Sequence, residues 1–299
     1  MSELQKFKSL HKQWIEWLAG EDARAVFSQL VHIMYDTLIY RMVLKARTLC
    51  EKTDDGKLKL NHAMHYLIDK CYFESQALAI RRLMDKDSNT ISLYKIIDSM
   101  ENNRYILKRK YYFEVLKDYQ YDYQKMKVEE EKYLTENLKC GEGICVPPEL
   151  DWEKSAELHS DLDWLCGTDE NRRTPDDIIQ KEIFEKLKKE LLTVENIKGY
   201  VDKFIAHSDI KRNAVKKSSV TFNHIWEAQK KLSMIANFIR IYLLDRVEYF
   251  PLPIIGCNWL GGIDCAIVKK EQIHELGKDY EKFRNEAGTW NRDLKILVL

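Results

Sequence analysis

The sequence predicts an all-α protein, and three observations carry that prediction. Apolar residues recur at three- and four-residue spacing along most of the chain, glycine and proline number only 11 and 5 in 299 residues, and 32% of residues are charged. This combination suits long amphipathic helices with solvated outer faces, not sheets closed by many turns. A chain of this length can bury a sizeable core, as one large domain or two modest ones.

Taken in order, Ser2 with Gln5 forms a capping-box pattern and opens a helix carrying Leu4, Phe7, Leu10, Trp14 and Trp17 on one side. Gly20 ends it. A second helix spans about Asp22 to Cys50, and its density of apolar residues predicts a central position. Asp54-Asp55-Gly56 reads as a turn. A third helix runs from about Asn61 to Met84, and Thr90 or Ser92 caps a short one through Met100. From Arg104 to Lys139 the chain reads as an extended helix, protruding from the body or lying across it, with seven aromatic residues from Tyr111 to Tyr133 among many charges.

Cys140 to Arg173, with Gly141, Gly143 and Pro147-Pro148, reads as an irregular insertion. Thr174-Pro175-Asp176-Asp177 restarts helix as cap, proline and first-turn carboxylates, running to about Leu192. Thr193 then caps a helix ending at His207, and Lys211 to Ser219 is a basic loop. A long core helix spans about Phe222 to Val247, Pro251 and Pro253 stop it, and a terminal helix covers about Lys269 to Ala287. Ile296 to Leu299 alone has strand character. The expected organisation is a helical bundle over 1–250, interrupted by the insertion at 140–173, with a C-terminal helical extension over 251–299.

Basic and acidic residues balance at 48 each, so the formal net charge is zero. That argues against a protein whose main task is non-specific nucleic-acid binding, while leaving room for a local basic patch. The seven cysteines are scattered and follow no secretory signal. The apolar run from Met234 to Leu244 is broken by Asn237 and Arg240 and is too short to span a bilayer. A cytoplasmic protein without a membrane partner is expected.

The stretch from Gly199 to Arg212 is the first candidate site. Ile197, Val201, Phe204 and Ile205 can face a core, while Lys203 and His207, four apart, share the opposite face. A histidine beside a cation, flanked by Asp202 and Asp209, suits acid–base chemistry on a phosphate. The plainer reading is a histidine bonded to the carbonyls of a helix C-terminus. The loop residues Lys211, Arg212, Lys216 and Lys217 can hold a phosphate backbone, or simply be solvated.

Arg81 and Arg82 are the second candidate. Arg81 can pair with Asp85 along the helix surface, or one of the two arginines can lean toward His207 and contact phosphate. Adjacent helical residues diverge by about 100°, so at most one belongs in the site. Cys140, Cys145, His159 and Cys166 lack the tight pairs of structural zinc sites, and His62 with His65 has no acidic partner at matching spacing. Phosphate-binding glycine motifs are absent from the sequence. No metal and no cofactor are expected.

Gln76 to Asp85, continuing to Ser92-Leu-Tyr-Lys-Ile-Ile97, together with Val201-Asp-Lys-Phe-Ile-Ala-His-Ser-Asp209, resembles the HEPN superfamily. Within it the resemblance is to the branch of bacterial abortive-infection proteins of the U type (AbiU2-like), and it spans the second helix to Val247. It implies a helical bundle, a homodimer with the histidine near a cleft at the interface, and a role in bacterial defence or a toxin–antitoxin system. It also implies RNA as a substrate and, as a second reading, a non-catalytic module that holds a partner protein such as an antitoxin or effector. HEPN endoribonucleases act without metal through an Arg-x(4–6)-His motif that promotes attack of a ribose 2′-hydroxyl on the adjacent phosphate. His207 matches the histidine. The arginine positions hold Asp202, Val201 and Tyr200, so the cation falls to Lys203, Arg81, Arg82 or Arg212.

Overall fold

The computed structural model describes residues 1–50, 62–87, 89–117, 121–137, 146–147, 150, 152–205, 220–244, 252, 270–292 and 294–298. Over these residues the chain is helical, with no strand and one isolated antiparallel bridge between Lys108 and Ile178. The helices are α1 (Glu3–Ala19), α2 (Val26–Leu49), α3 (His62–Leu83), α4 (Leu93–Asn102), the single turn α5 (Arg109–Tyr111), α6 (Tyr123–Asn137), α7 (Trp152–Cys166), α8 (Lys181–Leu192), α9 (Glu195–Tyr200), α10 (Phe222–Phe238) and α11 (Ile273–Thr289). No helix among the described residues is long and apolar enough to cross a membrane.

Local chemistry sets several boundaries as expected. The Ser2 hydroxyl accepts the Gln5 N–H, and the Gln5 side chain accepts the Ser2 N–H, completing the capping box of α1. Ser92, not Thr90, caps α4 by accepting the Lys95 N–H at 3.1 Å. Trp14 is fully buried from α1, and its indole N–H donates to Ser99 Oγ of α4 at 2.9 Å, which removes the cost of an orphaned donor.

The core lies around α2, which packs against α1, α3, α10 and α11. The terminal helix α11 therefore lies directly on the bundle. Between α2, α3 and α10 sits a buried polar node. Gln229 Nε2 donates to Gln76 Oε1 at 2.7 Å and to Thr37 Oγ1 at 2.8 Å, and the Thr37 and Tyr72 hydroxyls meet at 2.8 Å. Each member has a partner, as buried polar groups require.

Five expectations are corrected by the structure. The stretch from Arg104 is not one extended helix: it makes a 3-10 turn (Arg104–Ile106), α5, and a π turn (Tyr112–Lys117), and only then α6. Tyr111, Tyr112 and Phe113 are buried in the main core, so the chain turns inward here. The insertion at 140–173 is helical over α7, where Ser155, His159, Leu162 and Leu165 are buried. The reason is Arg109, wholly buried, whose guanidinium donates to Asp163 Oδ1 at 2.7 Å and Asp177 Oδ2 at 3.1 Å and to the His159 carbonyl at 3.2 Å.

Asp177 also explains why α8 starts at Lys181, not at Thr174. Its carboxylate accepts the Thr174 N–H and hydroxyl at 2.9 and 2.7 Å, so the hydroxyl donates where a helix cap would accept. Its backbone carbonyl is taken by the Arg109 N–H at 2.8 Å, and the Ile179 N–H goes to Leu107, so the segment pairs with the Lys108 region before helix begins. Thr193 closes α8 through a bond to the Glu190 carbonyl and does not cap α9. Leu294–Leu297 is a 3-10 turn with Leu294 and Leu297 buried, not a strand. The Asp54-Asp55-Gly56 turn, Cys140, Cys145, Pro251 and Pro253 lie outside the described residues.

Candidate functional site

One face of α3 carries Phe73, Ala77 and Arg81 at four-residue spacing, which stacks them along a single stripe. Phe73 is the anchor. Its ring meets Tyr200 edge-on at 5.6 Å and Phe222 edge-on at 5.3 Å. Tyr200 ends α9 and Phe222 opens α10. Both flanks of the segment that contains His207 and the basic loop are thus held on the same aromatic residue. Phe222 is further stacked on Tyr40, whose ring lies 3.9 Å from that of Tyr72 and nearly parallel to it. Such aromatic pairs contribute about 1 kcal/mol each beyond their buried area.

After Tyr200 the backbone passes into a π turn, Val201–Ile205. Ile197 and Val201 are fully buried and Ile205 packs partly against the core, as the sequence pattern predicts. Asp202 then faces Arg81. Arg81 Nε donates to Asp202 Oδ1 at 2.5 Å, and Nη1 lies 3.7 Å from Asp85 Oδ2. The hydrogen bond to Asp202 is the largest influence raising the Arg81 pKa above its ordinary value, followed by burial acting the other way and by attraction to both carboxylates. The Arg81 and Asp202 side chains are 30% and 36% exposed, so the pair sits at the edge of the described core with the guanidinium held toward Asp202.

The two neighbouring arginines diverge. Arg81 is directed to the Asp202 turn, whereas Arg82 is exposed and lines a separate concavity with Arg24, Asp85 and Thr90. Lys203 has its backbone in the π turn, and its side chain lies outside what is described. His207, Asp209, Lys211, Arg212, Lys216 and Lys217 also lie outside the described residues. Of the predicted site residues, then, Arg81 and Asp202 are brought together, five residues ahead of His207. Sequence reasoning missed Phe73, Tyr200 and Phe222; the spacing of Phe73, Ala77 and Arg81 was the signal that could have found the first of them.

The former zinc candidates have other partners. His159 Nε2–H donates to the Tyr121 carbonyl at 2.6 Å, and its Nδ1 lies 3.2 Å from Arg109 Nη1, so both ring nitrogens are engaged. Burial, above all, pushes the Cys166 thiol up to about 12, which opposes the thiolate a metal needs. His65 Nδ1 accepts from Arg47 Nε at 2.9 Å. Among the described residues no group of three or more His, Cys, Asp or Glu side chains is placed to hold a metal ion.

A family model described as HEPN_AbiU2, AbiU2, matches residues 20–243. That span runs from the end of α1 through the π turn after α10, includes Arg81 and Asp202, and stops before α11. No curated protein and no solved structure matches the chain.

Proposed function

Because the chain belongs to the AbiU2 family of HEPN domains, we propose that it is an RNA-binding protein of bacterial abortive-infection defence that cleaves RNA without a metal ion. The observation that carries this reading is the Arg81–Asp202 contact. In the Arg-x(4–6)-His pattern a guanidinium stands beside the histidine. Here the upstream positions hold no arginine, and Arg81 supplies a guanidinium from α3 to the turn that leads into His207. A lysine would not reproduce the planar, two-pronged grip on a phosphate, which is why Arg81 is assigned the role before Lys203.

The chemistry follows from those two groups. His207, as the neutral imidazole, takes the proton from a ribose 2′-hydroxyl while that oxygen attacks the adjacent phosphorus. Arg81 binds the non-bridging oxygens, whose negative charge grows in the five-coordinate transition state. The P–O5′ bond then breaks, the 5′-oxygen takes a proton from water, His207 gives its proton back to the solvent, and the products are a 2′,3′-cyclic phosphate and a 5′-hydroxyl. Asp202 holds the Arg81 fork in one orientation, and the aromatic clamp on Phe73 holds the segment against α3.

The test is incubation of the purified protein with transfer and messenger RNA in EDTA, beside His207→Ala and Arg81→Lys variants. The expected result is cleavage leaving cyclic phosphate ends, abolished by the histidine change and reduced by at least about tenfold by the arginine change, because the charge is kept and the fork is lost. Cleavage indifferent to both substitutions would sink the proposal.

A further inference from the structure

On the far side of the α3 terminus, the segment before α2 and the loop between α3 and α4 enclose an open concavity of about 380 Å³. It is lined by Arg24, Gln29, Arg82, Asp85, Asn89 and Thr90, with Ile91 as an apolar patch. Its volume lies within the range of small-ligand sites, about 300–1,000 Å³. We propose that this groove binds one nucleotide of single-stranded RNA flanking the nucleotide held at Arg81, so that the strand crosses the end of α3. This rests on the RNA reading above and extends it to a second site.

The lining has the donors such a ligand needs. Arg24 and Arg82 are both exposed, and among the described residues no carboxylate pairs with Arg82. Asp22 takes the Nε and Nη2 side of Arg24 at 3.0 and 2.6 Å, which fixes that guanidinium beside the groove. Gln29 is oriented by its amide donating to the Arg24 carbonyl at 2.6 Å. Amide side chains such as Gln29 and Asn89 both donate and accept, so they can meet a base edge where a lysine could only offer charge. Recognition of unstacked bases in single-stranded RNA uses contacts of this kind.

Asp85 is the one acidic lining group, and both of its carboxylate oxygens face donors at the α3 terminus. Its Oδ2 faces Arg81 at 3.7 Å, and its Oδ1 accepts the Asp87 N–H at 3.1 Å. The same carboxylate therefore joins the groove to the Arg81–Asp202 pair. Since Arg81 and Arg82 are consecutive on the helix and diverge by about 100°, their guanidiniums straddle the α3 terminus, one toward each site.

The experiment measures binding of a short fluorescein-labelled single-stranded RNA by anisotropy at several salt concentrations, in a His207→Ala background that keeps the RNA intact. Arg24→Gln, Arg82→Gln and a control, Lys132→Gln on the exposed surface of α6, are compared with that parent, and folding is checked by circular dichroism. Arg82→Gln is expected to weaken binding about five- to tenfold and to flatten the slope of log affinity against log salt by about 0.7, the contribution of one phosphate contact on a single strand. Arg24→Gln, whose guanidinium is already paired with Asp22, should weaken binding about three- to fivefold with a smaller change of slope. The control should stay within about twofold. Affinity and slope unchanged in both groove variants would overturn the groove, and cleavage by the wild-type protein in parallel would leave the nuclease reading standing. Groove-dependent binding without cleavage by the wild-type protein would support the groove and overturn the nuclease. No RNA binding at low salt would overturn both.

Discussion

Replacing Arg109 with methionine tests whether one buried cation organises the corner formed by α5, α7 and the start of α8. Methionine retains an unbranched apolar stem and removes the charge and five N–H donors. In the folded protein the Arg109 side chain is 0% exposed and donates to Asp163 at 2.7 Å and Asp177 at 3.1 Å. The two carboxylates are not left equally exposed by its loss. Asp163 keeps Arg173 at 2.6 Å, and Asp177 keeps the Thr174 N–H and hydroxyl. Removing one partner of a buried ion pair costs about 3–5 kcal/mol when the remaining charge is stranded. These surviving contacts place Arg109→Met at the low end, about 3 kcal/mol. With about 2 cal/mol/K of unfolding entropy per residue, that corresponds to a fall in Tm of about 5 °C for a chain of this length. Urea unfolding followed by circular dichroism, with thermal scans alongside, measures both quantities. A loss below about 1 kcal/mol, or a gain, would refute the reasoning, since it would mean that the desolvation of the three charges consumes what their attraction supplies.

Two further outcomes follow from the same geometry. Burial, its main cause, holds the His159 pKa down at about 4, against about 6.5 when the chain unfolds. The unfolded state therefore binds its proton first as pH falls, so stability is complete above pH 6.5 and drains away between 6.5 and 4, with about 2 kcal/mol lost between pH 7 and 5. His159→Gln should lower stability at pH 7 and flatten that dependence; urea midpoints that fall with pH as steeply in the variant as in the parent would rule out His159 as its source. Phe73→Ala removes the ring that holds both Tyr200 and Phe222, at a cost of about 2 kcal/mol for a half-buried aromatic. RNA cleavage should fall more than tenfold at temperatures where the variant remains folded, and full turnover by folded Phe73→Ala would show that α3 does not position the His207 segment.

The candidate site was only partly legible in the sequence. The spacing of Ile197, Val201 and Ile205 announced which side of the segment faces the core, and Arg81 and Arg82 diverge as adjacent helical residues must, one toward Asp202 and one toward the concavity beside Arg24. The partner of Arg81 was another matter. The local candidate, Asp85, stands at 3.7 Å, while the closer contact at 2.5 Å is Asp202, 121 residues away. Helical periodicity has no information about a carboxylate arriving from another helix.

By itself the sequence determined the helical class, the capping box at Ser2, the central position of α2 and the family. These depend on interactions within a few residues, or on the repeat of apolar side chains that any buried helix must show. Tertiary structure decided the course of 104–117, the helix at 152–166, the late start of α8 and the clamp on Phe73. In each case the deciding partners are distant in the chain: the buried Arg109 charge had to be paired, and the Phe73 ring gained by packing on rings from α9 and α10, and these gains outweighed the local preference of the backbone.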